Sequence, residues 1–399
     1  MNVADVRGLF PGVSERIYLD LSLNALMPSP ARDAVVAHLE ERVMGRAVKE
    51  ELHARAERVR EGVARLLGAE PDEIAITKNV SEGLNLFAAS LPWREGDNVV
   101  FCPELEHPNN VFLWYNLARN RGIEAREVPP VEGRIPVEGM VASMDDRTRV
   151  VTASHVTFSP GFVTDLRRLA GEAHARNARL LVDAAQSAGA LVTDVHELGV
   201  DAAALGSQKA LMALYGLGFL YVRRELADAM SPVFAGRYGV EMGADAHETA
   251  ISDGAFDFKA GARRFELSNY DYAGLAAVEA TLQLLLGIGM PAVEAHLRGL
   301  ARRLASGLLE LGLPVAGGEP GPHLAHVVAV GESGGGRHDS ADDPAMNRLH
   351  RHLTDHGVRL SIRRGVLRMS LGIYNTEEEV DRVVALCRGW MRAEGRTAP

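Results

Sequence analysis

Two hydrophobic periods alternate along this chain. Short apolar runs at 97–103, 123–128, 148–156, 179–184, 202–206 and 218–222 read as buried strands, while 111–121 and 166–177 carry apolar residues at helical spacing between them. Strands alternating with helices predict a largely parallel sheet covered on both faces, with chemistry gathered just beyond the carboxyl ends of its strands. Ahead of this core an extended entry at 17–21 leads into two helices over 31–67. After it, 272–287 and 290–313 read as helices, and Leu297, Leu300, Leu304, Leu308 and Leu311 form one stripe that suits a core better than an interface. Beyond Gly312 the pattern changes to strand-like 324–330, a loop at 331–343, a helix near 345–356 and strand-like 358–362 and 366–371. Thr376 followed by Glu379 predicts a capping box at the head of the last helix. The predicted division is an arm over 1–30 that joins the small unit, a large unit over 31–288, and a small C-terminal α+β unit over 289–399.

Composition narrows the class of protein. With 399 residues, 47% hydrophobic and 24% charged, the chain is an ordinary globular body rather than a rod or a disordered tail. A formal net charge of −10 leaves no footprint for nucleic acid. Two cysteines, Cys102 and Cys387, make no disulfide framework and no metal-like spacing. The first residues lack the pattern of an export signal, and no apolar run reaches the roughly 18 residues of a membrane span, so the expectation is a cytoplasmic protein without a membrane or nucleic-acid partner. His350, His352 and His356 lie on a charged helical segment and read as a solvated face, so no metal is expected; Trp93 and Trp114 read as core anchors.

The chemistry sits at two successive strand ends. Asp183 and Gln186 close one strand among small residues, and Lys209 follows the next, between 202–206 and 218–222. An amine that can form a Schiff base, beside a carboxylate that can keep a pyridinium nitrogen protonated, is what pyridoxal phosphate requires. A helix beginning near Ser81, within 77–84, offers N–H groups, a dipole and a hydroxyl to the phosphate. Taken singly, Lys209 is a surface lysine and Ser81 an ordinary cap; order and spacing make them a site.

These stretches, with Glu106–His107, 207–209, 215–222, 263–266, 367–368 and 374–379, resemble the class V aminotransferase family of fold-type I pyridoxal phosphate enzymes, which includes cysteine desulfurases, selenocysteine lyases and isopenicillin N epimerases. The resemblance implies an α/β fold with a mainly parallel seven-stranded sheet and a small C-terminal domain. It implies that Lys209 carries the cofactor, Asp183 pairs with the ring nitrogen, Gln186 bonds the phenolic oxygen and His107 stacks on the ring. Val80, Ser81 and Ser207 or Gln208 would hold the phosphate, with Asn269 reaching it from the second subunit of a homodimer. Arg368 would take the substrate α-carboxylate, with Asn24 and Tyr215 also on the substrate side.

Departures from the family pattern shape the expected reaction. Gln208 stands where desulfurases commonly carry histidine, Gly206 replaces a hydroxyl, and Phe158 replaces an asparagine beside the ring. No cysteine lies between Cys102 and Cys387, which argues against a thiolate that attacks substrate sulfur. The expectation is therefore a lyase that eliminates a β-substituent by C–S cleavage of a cysteine conjugate, with Lys209 as base at Cα, and not a persulfide-forming cysteine desulfurase. An epimerase using His107 or Tyr215 as the opposite acid, a transaminase, a decarboxylating variant and a degenerate scaffold without turnover are the alternatives. The segment 236–253 reads as a surface loop or a flap over the site.

Overall fold

The computed structural model describes residues 3–242, 256–337 and 339–395. Most of the flap segment predicted at 236–253 thus lies outside the described residues. Seven strands form the central sheet: β1 (Ile74–Thr77), β2 (Asn98–Phe101), β3 (Glu124–Glu127), β4 (Thr148–Ser154), β5 (Arg179–Asp183), β6 (Ala202–Gly206) and β7 (Gly218–Val222), in the spatial order β1-β7-β6-β5-β4-β2-β3. Strands β2 to β6 run parallel, whereas β7 is antiparallel to both β6 and β1. The sheet is the one expected, an α/β fold of fold-type I.

Burial follows composition. Strands β5, β6 and β7 have almost no exposed residue because helices cover both faces, and their sequences are runs of Leu, Val and Ala without alternation. Strand β3 stands at an edge, and three of its four residues, Glu124, Arg126 and Glu127, are charged, which discourages pairing with another chain. The edge strand β1 escaped the sequence reading, since four residues flanked by polar ones make too short an apolar run to register.

Helices α1 (Ser29–Val43) and α2 (Lys49–Leu67) pack on α6 (Tyr272–Ile288). Between β1 and β2 runs α3 (Val80–Ala89); α4 (Phe112–Arg121) and α5 (Leu166–His174) are the expected crossovers. Asn79, not Ser81, caps α3: its side chain accepts a hydrogen bond from the Glu82 N–H at 2.9 Å. The leucine stripe of α7 (Met290–Leu309) is buried. Among the described residues no single helix is long and apolar enough to cross a membrane; the apolar pair α6 and α7 bends by 83° at its junction.

The C-terminal part holds a second, antiparallel sheet of β8 (Val327–Val330), β9 (Ser361–Arg363) and β10 (Val366–Ser370), in the order β9-β10-β8. It carries α8 (Pro344–Asp355) and α9 (Glu377–Ala393), the latter opened by the predicted Thr376–Glu379 capping box. The strand expected over 358–362 is divided because its halves serve different partners: Val358–Arg359 pairs in parallel with Ile17–Tyr18 of the N-terminal arm, and Ser361–Arg363 turns to β10. Asp20 bridges to Ser370, so the two ends of the chain meet beside Arg368.

Candidate active site

The carboxyl edge of the central sheet opens into a cavity of about 820 Å³ that reaches across to the small sheet. Asp183 enters it as the last residue of β5, and Lys209 from the loop joining β6 to β7. His107 and Tyr215 border it, Arg368 comes from β10, and Asn79, Val80 and Ser81 bring the head of α3. Gln208 also faces the cavity.

Four other predicted residues do not line it. Ser207 is fully buried and its hydroxyl is spent on the Leu217 carbonyl at 2.8 Å and on that of Leu214, because the sharp turn into Lys209 needs those carbonyls satisfied. Gln186 is buried and donates its amide to the Ser22 carbonyl at 3.3 Å, leaving Oε1 with no partner. The Asn24 carbonyl accepts from the Tyr18 hydroxyl at 2.8 Å. Asn269 accepts the Tyr238 hydroxyl at 3.0 Å.

Charge in the cavity is set by burial first. The Lys209 ammonium is lowered to about 8 by burial and by Arg368, against the pull of Asp183. Burial raises the Asp183 carboxyl, and Lys209 holds it down. His107 is pushed to about 4 by burial, then by Lys209, Arg368 and Arg364, so its imidazole is neutral near pH 7; it meets Phe158 edge-on at 5.1 Å. Arg368 is lowered to about 10 by burial and stays cationic; it donates to the Phe158 carbonyl at 3.1 Å and lies 5.2 Å from that ring, while its Nε has no partner. Asp20, fully buried beside it, supplies the opposing charge.

The sequence reading gave Glu106 no role, yet it lies under Asp183. It is fully buried and accepts hydrogen bonds from the Ser154 N–H at 2.6 Å, from the Ser154 hydroxyl and from Asn110 at 3.0 Å. Ser154 is the cross-strand partner of Asp183. Burial, then the neighbouring Asp183, pushes the Glu106 carboxyl up to about 7. Its place immediately before His107 was the available signal. Arg364, also lining the cavity, was missed; its signal was a second cation beside Gly365 in a tight turn. Both cysteine thiols are buried and raised to about 12, mainly by burial.

The aminotransferase class-V model matches residues 17–383. The chain belongs to this family. A probable cysteine desulfurase of Methanothermobacter thermautotrophicus is 29% identical over 95% of this chain and 96% of its own. Among solved structures, the apo cysteine desulfurase of Thermococcus onnurineus NA1 superposes with a TM-score of 0.83 at 26% identity, covering 98% of each chain. A C-DES variant with glycine covalently linked to its PLP cofactor has the same fold, with a TM-score of 0.83 at 23% identity over 95% of this chain and 98% of that one. Pyridoxal phosphate is the cofactor of this class V enzyme.

These likenesses correct the sequence reading on one point. The exclusion of a persulfide-forming cysteine desulfurase, and the cysteine-conjugate lyase preferred in its place, do not stand, because relatives named cysteine desulfurases match most of the chain. The exclusion rested on one missing loop cysteine, and sulfur leaving Cβ can pass to a thiol that the chain does not itself supply.

The residues present fit the cofactor. Gly206 and Gly218 leave a cradle at the head of α3: a Cβ on Gly206 would stand 2.8 Å from Gln208 Oε1, and one on Gly218 2.8 Å from Asn79 Cα. The first turn of α3 has no carbonyls four residues back for its amides, which suits a phosphate there. The unpartnered Arg368 Nε, on a side chain that lines the cavity, is a buried polar atom of the kind a bound group satisfies.

Proposed function

We propose that the protein is a desulfurase of cysteine or a close relative, passing the sulfur to a thiol from outside the chain. The observation that carries this reading is the Lys209 amine, lowered to about 8, sharing one cavity with Asp183 and the carboxylate-binding Arg368. The names of its relatives support the substrate.

Pyridoxal phosphate, when bound, supplies an electron sink that lets the Cα–H bond break. Lys209 would hold the cofactor and, as a free amine, would take the Cα proton, for which an amine poised near 8 is well matched. Asp183 would keep the ring nitrogen protonated, and Val80, Ser81 and Gln208 would hold the phosphate. His107, neutral, would pack against the bound cofactor, and Arg368 would hold the α-carboxylate of the substrate. An acceptor thiolate attacks the substrate sulfur, the C–S bond breaks with its electron pair left on carbon, and that carbon takes up a proton. The balance is cysteine plus thiol giving alanine plus persulfide.

The working form is a homodimer. Supporting this, Asn269 is absent from the lining of its own chain's cavity, and Val36, Leu39 and Val43 of α1, with Met44 just beyond it, leave apolar side chains exposed. The test is product analysis on the PLP-loaded enzyme given L-cysteine and dithiothreitol. Alanine and sulfide in equal amounts are expected. Pyruvate with ammonia would overturn the reading.

A further inference from the structure

The reaction as written needs one cation for the α-carboxylate, and the cavity holds more than one. Arg363 is engaged by Asp339 and by the Ile362 carbonyl, and Arg337 is exposed at the rim. Arg364 differs from both. It is half-buried, lines the cavity, and donates a long hydrogen bond, 3.4 Å, to the Glu106 carbonyl.

Backbone conformation fixes where Arg364 stands. Arg363 pairs with Val366, so Arg364 and Gly365 are the two central residues of the turn from β9 to β10, with φ of +48° and +83°. Such a turn favours Asn or Gly first, and a bulky residue in the left-handed region is unusual outside ligand sites. His107, Lys209, Arg368 and Arg364 line the same cavity, so three cations share it with a neutral imidazole. The acids facing Arg364 are Glu104 and Glu106, with the Cys102 thiol behind them. Asp183 accepts the Ala185 N–H at 2.9 Å and feels the charge of Lys209. Once a carboxylate occupies Arg368, Arg364 still presents a cation to whatever the substrate carries at its far end. The two arginines are four residues apart, at most about 13 Å of strand at roughly 3.3 Å per residue, a spacing that suits the two ends of one small molecule.

We propose that Arg364 is a second anion anchor, and that the cavity selects amino acids whose side chain ends in an anionic group. This rests on the proposed amino-acid chemistry at Lys209 and directs it toward those close relatives of cysteine whose side chain is anionic, above cysteine itself.

The experiment is a binding titration of the PLP-loaded enzyme, followed by the change in cofactor absorption, with probes matched in size and differing in charge: L-aspartate against L-asparagine, and L-glutamate against L-glutamine. In at least one pair the acid is expected to bind tenfold or more tightly. In Arg364→Gln that ratio falls to about one, and in Arg364→Lys it is intermediate, since an ammonium keeps the charge and loses the fork. A ratio near one in the unaltered enzyme, or a preference that survives in Arg364→Gln, overturns the proposal while leaving the cofactor chemistry intact. If no amino acid, L-cysteine and L-alanine included, perturbs the absorption, the amino-acid reading itself falls and the proposal with it.

Discussion

Lys209 and Glu106 mark the two ends of the site's proton chemistry. Because burial lowers the Lys209 ammonium to about 8, the free amine is the minor form below that pH and the major form above it. Capture of added pyridoxal phosphate by the apoprotein should therefore speed up as pH rises from 7 to 9, read as growth of cofactor absorption. Lys209→Ala should lose that absorption and slow turnover by roughly 10²-fold or more, the usual worth of a positioned base. At Glu106 the sign is the reverse of an ordinary salt-bridged acid. Its folded-state value near 7 lies above the ordinary carboxyl value of 4.5, so its contribution to stability is fully present below about 4.5 and is lost as pH rises through about 7. Glu106→Gln should flatten that part of the melting-temperature profile. Glu106→Ala leaves the Ser154 N–H and hydroxyl buried without that acceptor and should cost about 2–4 kcal/mol, read by denaturant unfolding.

At the scale of elements, the site depends on how closely β7 approaches α3. Gly218→Ala would set a Cβ 2.8 Å from both Asn79 Cα and the Leu205 carbonyl oxygen, backbone that cannot swing aside. Cofactor affinity should fall tenfold or more as the head of α3 is displaced, with a stability loss of about 1–3 kcal/mol. A second joint is the buried pair of Arg60 on α2 with Glu266, at 2.7 Å, where Glu266 also accepts the Ile76 N–H of β1 at 2.7 Å and the Tyr270 hydroxyl at 2.6 Å. Arg60→Ala leaves a buried carboxylate facing no cation and should cost about 3–5 kcal/mol by thermal or denaturant unfolding.

These joints show what a sequence displays and what it hides. The strands at 202–206 and 218–222 were legible to the residue, because a strand buried on both faces is an uninterrupted apolar run. Asp183 and Lys209 were legible because they directly follow such runs. Strand β1 and the cap at Asn79 were not, since a four-residue edge strand and a neighbouring choice of cap leave almost the same pattern. Glu106 takes its role from Ser154, 48 residues on, and Arg364 reaches the Glu106 carbonyl across 258 residues, so their local signals, a place before His107 and a cation beside Gly365, say little by themselves. The family resemblance was legible and correct; the exclusion of desulfurase chemistry from a missing cysteine was not, because a side chain's absence says nothing about an acceptor from elsewhere.

For the whole molecule, the decisive feature is that the cavity is built by two sheets drawn from opposite stretches of the chain. Asp183 and Lys209 belong to the central sheet, while Arg364 and Arg368 arrive on the small sheet, whose seating is shared with Asp20 and Ser370. During synthesis, then, the reactive lysine leaves the ribosome 159 residues before Arg368 (368 − 209). At about 5–20 residues per second that is a delay of roughly ten to thirty seconds. Throughout that interval the lysine exists while nothing yet exists to seize a carboxylate, so a half-made chain has its amine but cannot begin to consume amino acids.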